Sequence, residues 1–215
     1  MDHTVLPDGA APDDAVPGHR RALAAVRPLL AAVPRGLAAL ALVAAGIGLL
    51  LAEERLRFAE SALTAWVLRG PLGRPSRTLT TDPVFLYQQV PGDDTSWAGL
   101  VVTTACTAAF YVGGVLVLGG LLLLSRRNSV PRVAAAVLAA GVLLVVVNTG
   151  RMVLIAEAQA RWGEQGFGWT HTVVGSVLMI ATLGGCAVLF ARLGLLRRGH
   201  RSPRAWRGPA GAGEP

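Results

Sequence analysis

The chain has 215 residues, 53% of them hydrophobic and 15% charged, with a formal net charge of +7. That is too little charge for an ordinary soluble domain, and the apolar residues fall in long uninterrupted blocks, as membrane spans require. The pI near 11.1 does not indicate nucleic acid: the arginines flank apolar blocks instead of lining an aromatic-interleaved groove, and read as topology determinants and contacts to anionic lipid.

Residues 1–34 read as a flexible tail, with Pro7, Pro12, Pro17, Pro28 and Pro34 breaking any long helix. No short apolar stretch with a small-residue cleavage site lies here, so the first span is expected to act as an uncleaved signal anchor. That span is the uncharged block between Arg35 and Glu53. Residues 53–97 form the one sizeable extramembrane loop. Within it, Ala59–Leu68 has helical spacing and suits the membrane interface, Val84–Val90 is strand-like or loop-like, and Pro91-Gly92-Asp93-Asp94 is a turn. No charge interrupts Thr95 to Ser125, which is enough for a second span. A third runs from about Val133 to Ala158, a short loop holds Arg161, Gly163, Glu164, Gly166 and Gly168, and a fourth runs from about Trp169 to Leu196. The basic, Gly/Pro-rich residues 197–215 read as a disordered tail. The expected fold is an all-α polytopic bundle of about four transmembrane helices, spanning residues 35–196, with disordered termini.

Arginine placement sets the orientation. Arg20, Arg21, Arg27 and Arg35, then Arg126, Arg127 and Arg132, then Arg192 and the arginines after it, fall on one side. Arg55, Arg57, Arg69, Arg74, Arg77 and Arg161 fall on the other, offset by acidic residues. The richer side is expected to be cytoplasmic, with both termini inside.

Three polar side chains then share one depth. At 1.5 Å rise per residue, Cys106 lies about 30 Å from Arg126, Arg151 about 29 Å from Arg132, and His171 about 32 Å from Arg192. The hydrocarbon core is about 30 Å thick, so all three reach its outer edge. Arg151 has no carboxylate one turn away on its own helix, and Asn148, three residues earlier on the same face, is placed to orient it. A thiol, an imidazole and a fixed cation suit acyl transfer: nucleophile, proton shuttle and oxyanion stabiliser. Each also has a bland reading, Cys106 as a small packing residue, Arg151 as a snorkelling cation and His171 as an interfacial belt residue. Cys186, near the inner face, reads as packing, and the two cysteines are neither a CxxC pair nor a disulfide framework. No metal or cofactor is expected.

The segments TTACTAAF around Cys106, NTGRMVLI from Asn148 to Ile155 and WTHTVVGS around His171 resemble the exosortase/archaeosortase family of membrane transpeptidases over roughly residues 98–195. The resemblance implies Cys106 as nucleophile, Arg151 as transition-state stabiliser and His171 as general acid/base. It also implies a substrate: a secreted protein ending in a short motif, an apolar helix and a basic cluster, passed to an amine or lipid-linked acceptor or to water. Thr107-Ala108-Ala109 departs from the glycine-containing motif many members carry after the cysteine, and many members have more spans. Glu53-Glu54 with Arg57, and Phe167-x-x-x-His171, are similar to motifs of the CAAX-protease-like membrane proteases. There the glutamate–arginine spacing is one residue short and the third His/Asn element is missing. A non-catalytic membrane partner or assembly protein is the remaining alternative.

Overall fold

The computed structural model describes residues 17–125 and 128–194. The elements in chain order are α1 (Pro17–Leu51), α2 (Glu53–Arg69), β1 (Ser76–Thr78), β2 (Val84–Gln88), β3 (Trp97–Val101), α3 (Ala109–Leu124), α4 (Val130–Trp169), a π-helical turn (Thr170–Val174) and α5 (Gly175–Gly194). The fold is mostly helical. Two helical stretches among the described residues are long and apolar enough to cross a membrane, Val33–Leu51 and Val130–Arg192. α3 is apolar but only 16 residues long, about 24 Å against a hydrocarbon core of about 30 Å.

The helices pack through small residues. A Cβ at Gly46 of α1 would stand 2.8 Å from the Gly113 carbonyl of α3, and one at Gly120 would stand 2.8 Å from the Ala39 carbonyl. Two helices approach this closely only where side chains are absent, the usual way that lipid-embedded helices gain contact. α4 and α5 close the core with Val133, Val137, Leu144, Met179 and Phe190. The outside of the bundle is apolar as well: Leu40, Leu121, Leu138, Val146 and Ile180 are exposed. Water would not tolerate so continuous an apolar exterior, whereas lipid matches it. At one end Arg35 caps α3. Its Nε donates to the Leu123 carbonyl at 2.5 Å, and its Nη2 donates to the carbonyls of Ser125 and Asn128. A cation thus meets the helix-end carbonyls that have no partner of their own.

At the other end stands a three-stranded antiparallel sheet in the order β1-β2-β3. Its register pairs Arg77 with Leu86 and Leu86 with Gly99. The chain is therefore not all-α. The alternating VFLYQ run buries Phe85 and Tyr87 completely, against α2 residues Ala65 and Leu68 and α4 residues Met152 and Ala156.

Three further expectations change. The backbone is helical from Pro17, not broken to residue 34: Pro17 sits in the first turn, where a missing N–H is harmless, and the Ala/Leu-rich sequence carries the helix past Pro28 and Pro34. The uncharged run Thr95–Ser125 is not one helix. It supplies β3, a turn and the short α3, because β-branched Val101, Val102, Thr103 and Thr104 favour extended chain beside β2. The loop foreseen at Arg161–Gly168 is helical apart from one break at Gly163, whose φ of 60° and ψ of −147° only glycine adopts without strain. There the chain reverses, and α5 packs back along α4. Residues 1–16 and the basic tail 197–215 lie outside the described residues.

Candidate active site

Cys106 does not sit on a helix. It lies in the turn between β3 and α3, where its N–H donates to the Thr103 carbonyl at 2.9 Å. The turn is held from α4: Asn148 Nδ2 donates to the Cys106 carbonyl at 2.9 Å. Both residues are buried, at 4% and 1% exposure. Asn148 therefore positions the cysteine backbone, and it makes no hydrogen bond to Arg151, the role its spacing suggested.

Arg151 follows one turn later on the same face of α4 and is 6% exposed. Its side chain lies across the start of α5, where a Cβ on Gly175 would stand 2.5 Å from Arg151 Nε and 3.3 Å from Cδ. A buried guanidinium normally has its donors paired. Here Nε has no partner among the described residues.

His171 sits in the π-helical turn, a local widening frequently found at functional positions. Its ring stacks on Phe167, centroids 5.3 Å apart and planes within 8°. His171 and Cys106 line one cavity of about 350 Å³, together with Gly99–Val101 and Thr103 of the sheet side, Met152, Ile155 and Gln159 of α4, and Glu164 and Phe167 beyond the Gly163 break. Arg151 is not in that wall, although its neighbour Met152 is. Cysteine and histidine are thus brought together, and the arginine stands behind them, between α4 and α5.

Residues 85–190 match the transmembrane exosortase family. The chain carries an exosortase-family domain. The match contains Cys106, Asn148, Arg151 and His171, and it brings with it a membrane location and a transpeptidase-like role in general. No curated protein and no solved structure matches the chain.

The exosortase domain leans on residues that precede it. Glu60 of α2 is 4% exposed. Its Oε1 accepts from the Ala108 N–H at 2.8 Å and from Asn148 Nδ2 at 3.1 Å. Ala108 is the N-cap of α3 and has no capping side chain of its own, so a carboxyl from another helix supplies the missing acceptor. The same Asn148 amide bridges Glu60 and the Cys106 carbonyl, which ties the Cys106 turn to α2 and α4 at once. Burial pushes the Glu60 carboxyl above its ordinary range, against the lowering effect of hydrogen bonds from Ala108, Thr107 and Asn148. Sequence reasoning passed over Glu60 as one more acid of a charged loop. The signal was the spacing of Glu60, Thr64 and Leu68, which all fall on the buried face of α2, while Leu63 and Trp66 are exposed. That buried face mixes polar Glu60, Ser61 and Thr64 with apolar Ala65 and Leu68.

The sheet is pinned to the top of α4. Arg74 binds Glu157 through two bonds, Nε to Oε1 at 2.6 Å and Nη2 to Oε2 at 2.9 Å, and its Nη1 donates to the carbonyls of Gln88 and Gln89. The Tyr87 hydroxyl donates to Gln159 Oε1 at 2.8 Å, and burial pushes its pKa up to about 12. Gln159 in turn lines the cavity that holds Cys106 and His171. Of the CAAX-like residues, Phe167 and His171 line the cavity, and the glutamate–arginine pair does not. Glu53 and Arg57 pair with each other at 3.0 Å at the start of α2. Cys186 packs in the helix core with its Sγ 4.0 Å from the Ala140 carbonyl, and both cysteines are free thiols.

Proposed function

We propose that this protein is a membrane-embedded cysteine transpeptidase that cleaves the C-terminal sorting signal of secreted proteins at the outer membrane face. In this reading about four helices cross the bilayer, both termini are cytoplasmic and the sheet stands outside. The observation that carries it is the shared cavity: a thiol and an imidazole from distant parts of the chain line one space at the sheet end of the bundle.

Cys106 loses its proton to His171 and attacks the scissile carbonyl carbon. The Arg151 guanidinium stands behind the cavity wall with its Nε unpartnered, and it turns toward the oxygen as that atom becomes negative. The C–N bond breaks, and His171 returns the proton to the leaving amine, giving a thioester and a released tail. An acceptor amine, free or lipid-linked, or water then attacks the thioester. His171 takes its proton and the thiol is regenerated. Asn148 keeps the Cys106 turn in place throughout. A substrate tail with an apolar helix and a basic cluster stops in the bilayer with its scissile bond at the outer edge, the depth of this cavity.

The test is to express Cys106→Ala, Arg151→Ala and His171→Ala separately and follow a secreted protein carrying such a tail. Cys106→Ala is expected to abolish processing, and each of the other two to slow it by about 100-fold or more. Normal processing in all three would leave a non-catalytic membrane partner as the better description.

A further inference from the structure

β3 is the last strand of the sheet and pairs with β2 alone. The Val102 N–H donates to the Pro83 carbonyl at 2.8 Å, and the Gln89 N–H donates to the Ser96 carbonyl at 2.8 Å. Between these two bonds the register pairs Phe85 with Leu100 and Tyr87 with Ala98. In an antiparallel ladder, alternate residues turn their N–H and C=O toward the neighbour. Ser96, Ala98, Leu100 and Val102 therefore face β2, and Trp97, Gly99 and Val101 turn theirs outward. Among the described residues nothing hydrogen-bonds the outward groups of Gly99 or Val101.

Those groups open on the cavity that holds Cys106. Gly99, Leu100 and Val101 all line it. Successive side chains of a strand point to opposite faces, so a cavity that touches three successive residues meets the strand at its edge. Gly99 has no side chain to screen its backbone, and both Gly99 and Val101 are exposed. Beyond Val101 the chain runs through Thr103, also in the wall, directly into the Cys106 turn.

We propose that the Gly99–Val101 edge binds the substrate backbone in extended form, as a fourth strand of the sheet, and so lays the scissile peptide beside the Cys106 thiol. This rests on the transpeptidase reading and adds how the substrate is held. Donors and acceptors repeating every second residue are complementary to an extended chain; a helix has already satisfied its own groups internally. The substrate's apolar helix must therefore begin only beyond the bond to be cut. Affinity comes from the main chain, and the side-chain preference comes from the surrounding wall of Met152, Ile155, Phe167 and Glu164.

The test uses the full-length protein in lipid nanodiscs. The probes are short alanine peptides ending in a vinyl sulfone, each N-methylated at a single amide, with labelling of Cys106 followed by mass spectrometry. Methylation at every second amide is expected to slow labelling about tenfold, and at the intervening amides by less than about twofold. Val101→Pro removes an outward N–H without touching the ladder to β2. It is expected to slow the unmethylated probe by about the same factor. Equal sensitivity at all amides, or at none, would overturn the proposal. So would wild-type labelling of Val101→Pro. If that variant does not accumulate, the methylation series on the wild-type protein decides alone. Iodoacetamide separates the two levels. A Cys106 that ignores it overturns the transpeptidase reading and this inference together. A Cys106 that reacts with it while the alternation is missing overturns this inference alone.

Discussion

A carboxyl at position 60 and an amide at position 148 hold a cysteine turn that belongs to neither of their helices. Elevation of the Glu60 pKa by burial favours the neutral acid in the folded protein. Stability linked to this group is complete below the ordinary carboxyl value and is lost as pH rises through the elevated one. Glu60→Gln keeps an acceptor and stays neutral, so its melting temperature is expected to vary less with pH than that of the wild type from acid to neutral solution. Glu60→Ala leaves the Ala108 N–H and the Asn148 amide without their acceptor, at about 1–3 kcal/mol, and melts lower at every pH. A Gln variant as unstable as the Ala variant would mean that the charge matters, not the shape. Gly175→Ala tests the arginine. The added methyl meets Arg151 Nε at 2.5 Å, so the guanidinium must move. Processing of a tailed substrate is expected to fall at least about tenfold, while stability changes by no more than about 2 kcal/mol, overpacking being partly offset by the better helix propensity of alanine. Cys106, Arg151 and His171 stand out in the sequence because such residues are rare within apolar blocks. Glu60 does not, because it lies among other charges and its partners come from far along the chain.

The apolar blocks located the helices, but absence of charge does not distinguish helix from strand, and the stretch before α3 was misread for that reason. What decides β3 is a non-local partner, the VFLYQ strand, which hydropathy does not display. The same applies to the grip of the sheet on α4. Glu157 reads as a stray acid near the end of a span until Arg74 arrives from 83 residues away. Arg74→Ala removes both bonds to Glu157 and both to the Gln88 and Gln89 carbonyls, in a partly buried site. A loss of about 2 kcal/mol is expected, and a double-mutant cycle with Glu157→Gln is expected to show coupling of about 1–3 kcal/mol. Additive effects of the two substitutions would mean that the pair is incidental to the docking.

Across the whole molecule, one end carries the arginine-capped helix end and the other the sheet and the cavity. With the arginine-rich side facing the cytoplasm, a cysteine introduced by Thr80→Cys, with Cys106 and Cys186 replaced by alanine, is expected to react with an impermeant thiol reagent on intact cells. A cysteine introduced by Ser125→Cys in the same background is expected to stay protected until the membrane is opened. The reverse pattern would turn the protein over and with it the side on which any substrate must be cut. The membrane character was plain from composition; the sheet was foreshadowed only as one strand-like segment, and its place over the cavity was not visible.

β3 passes into the Cys106 turn without an intervening hinge, and the same sheet is bolted to α4 through Arg74 and Tyr87. The sheet and the Cys106 sulfur are thereby mechanically coupled. With the sheet outside the bilayer, as proposed, a molecule that grips its outer surface, an antibody fragment for instance, is expected to shift the thiol without crossing into lipid or competing for the cavity, a handle on the wet side of the membrane.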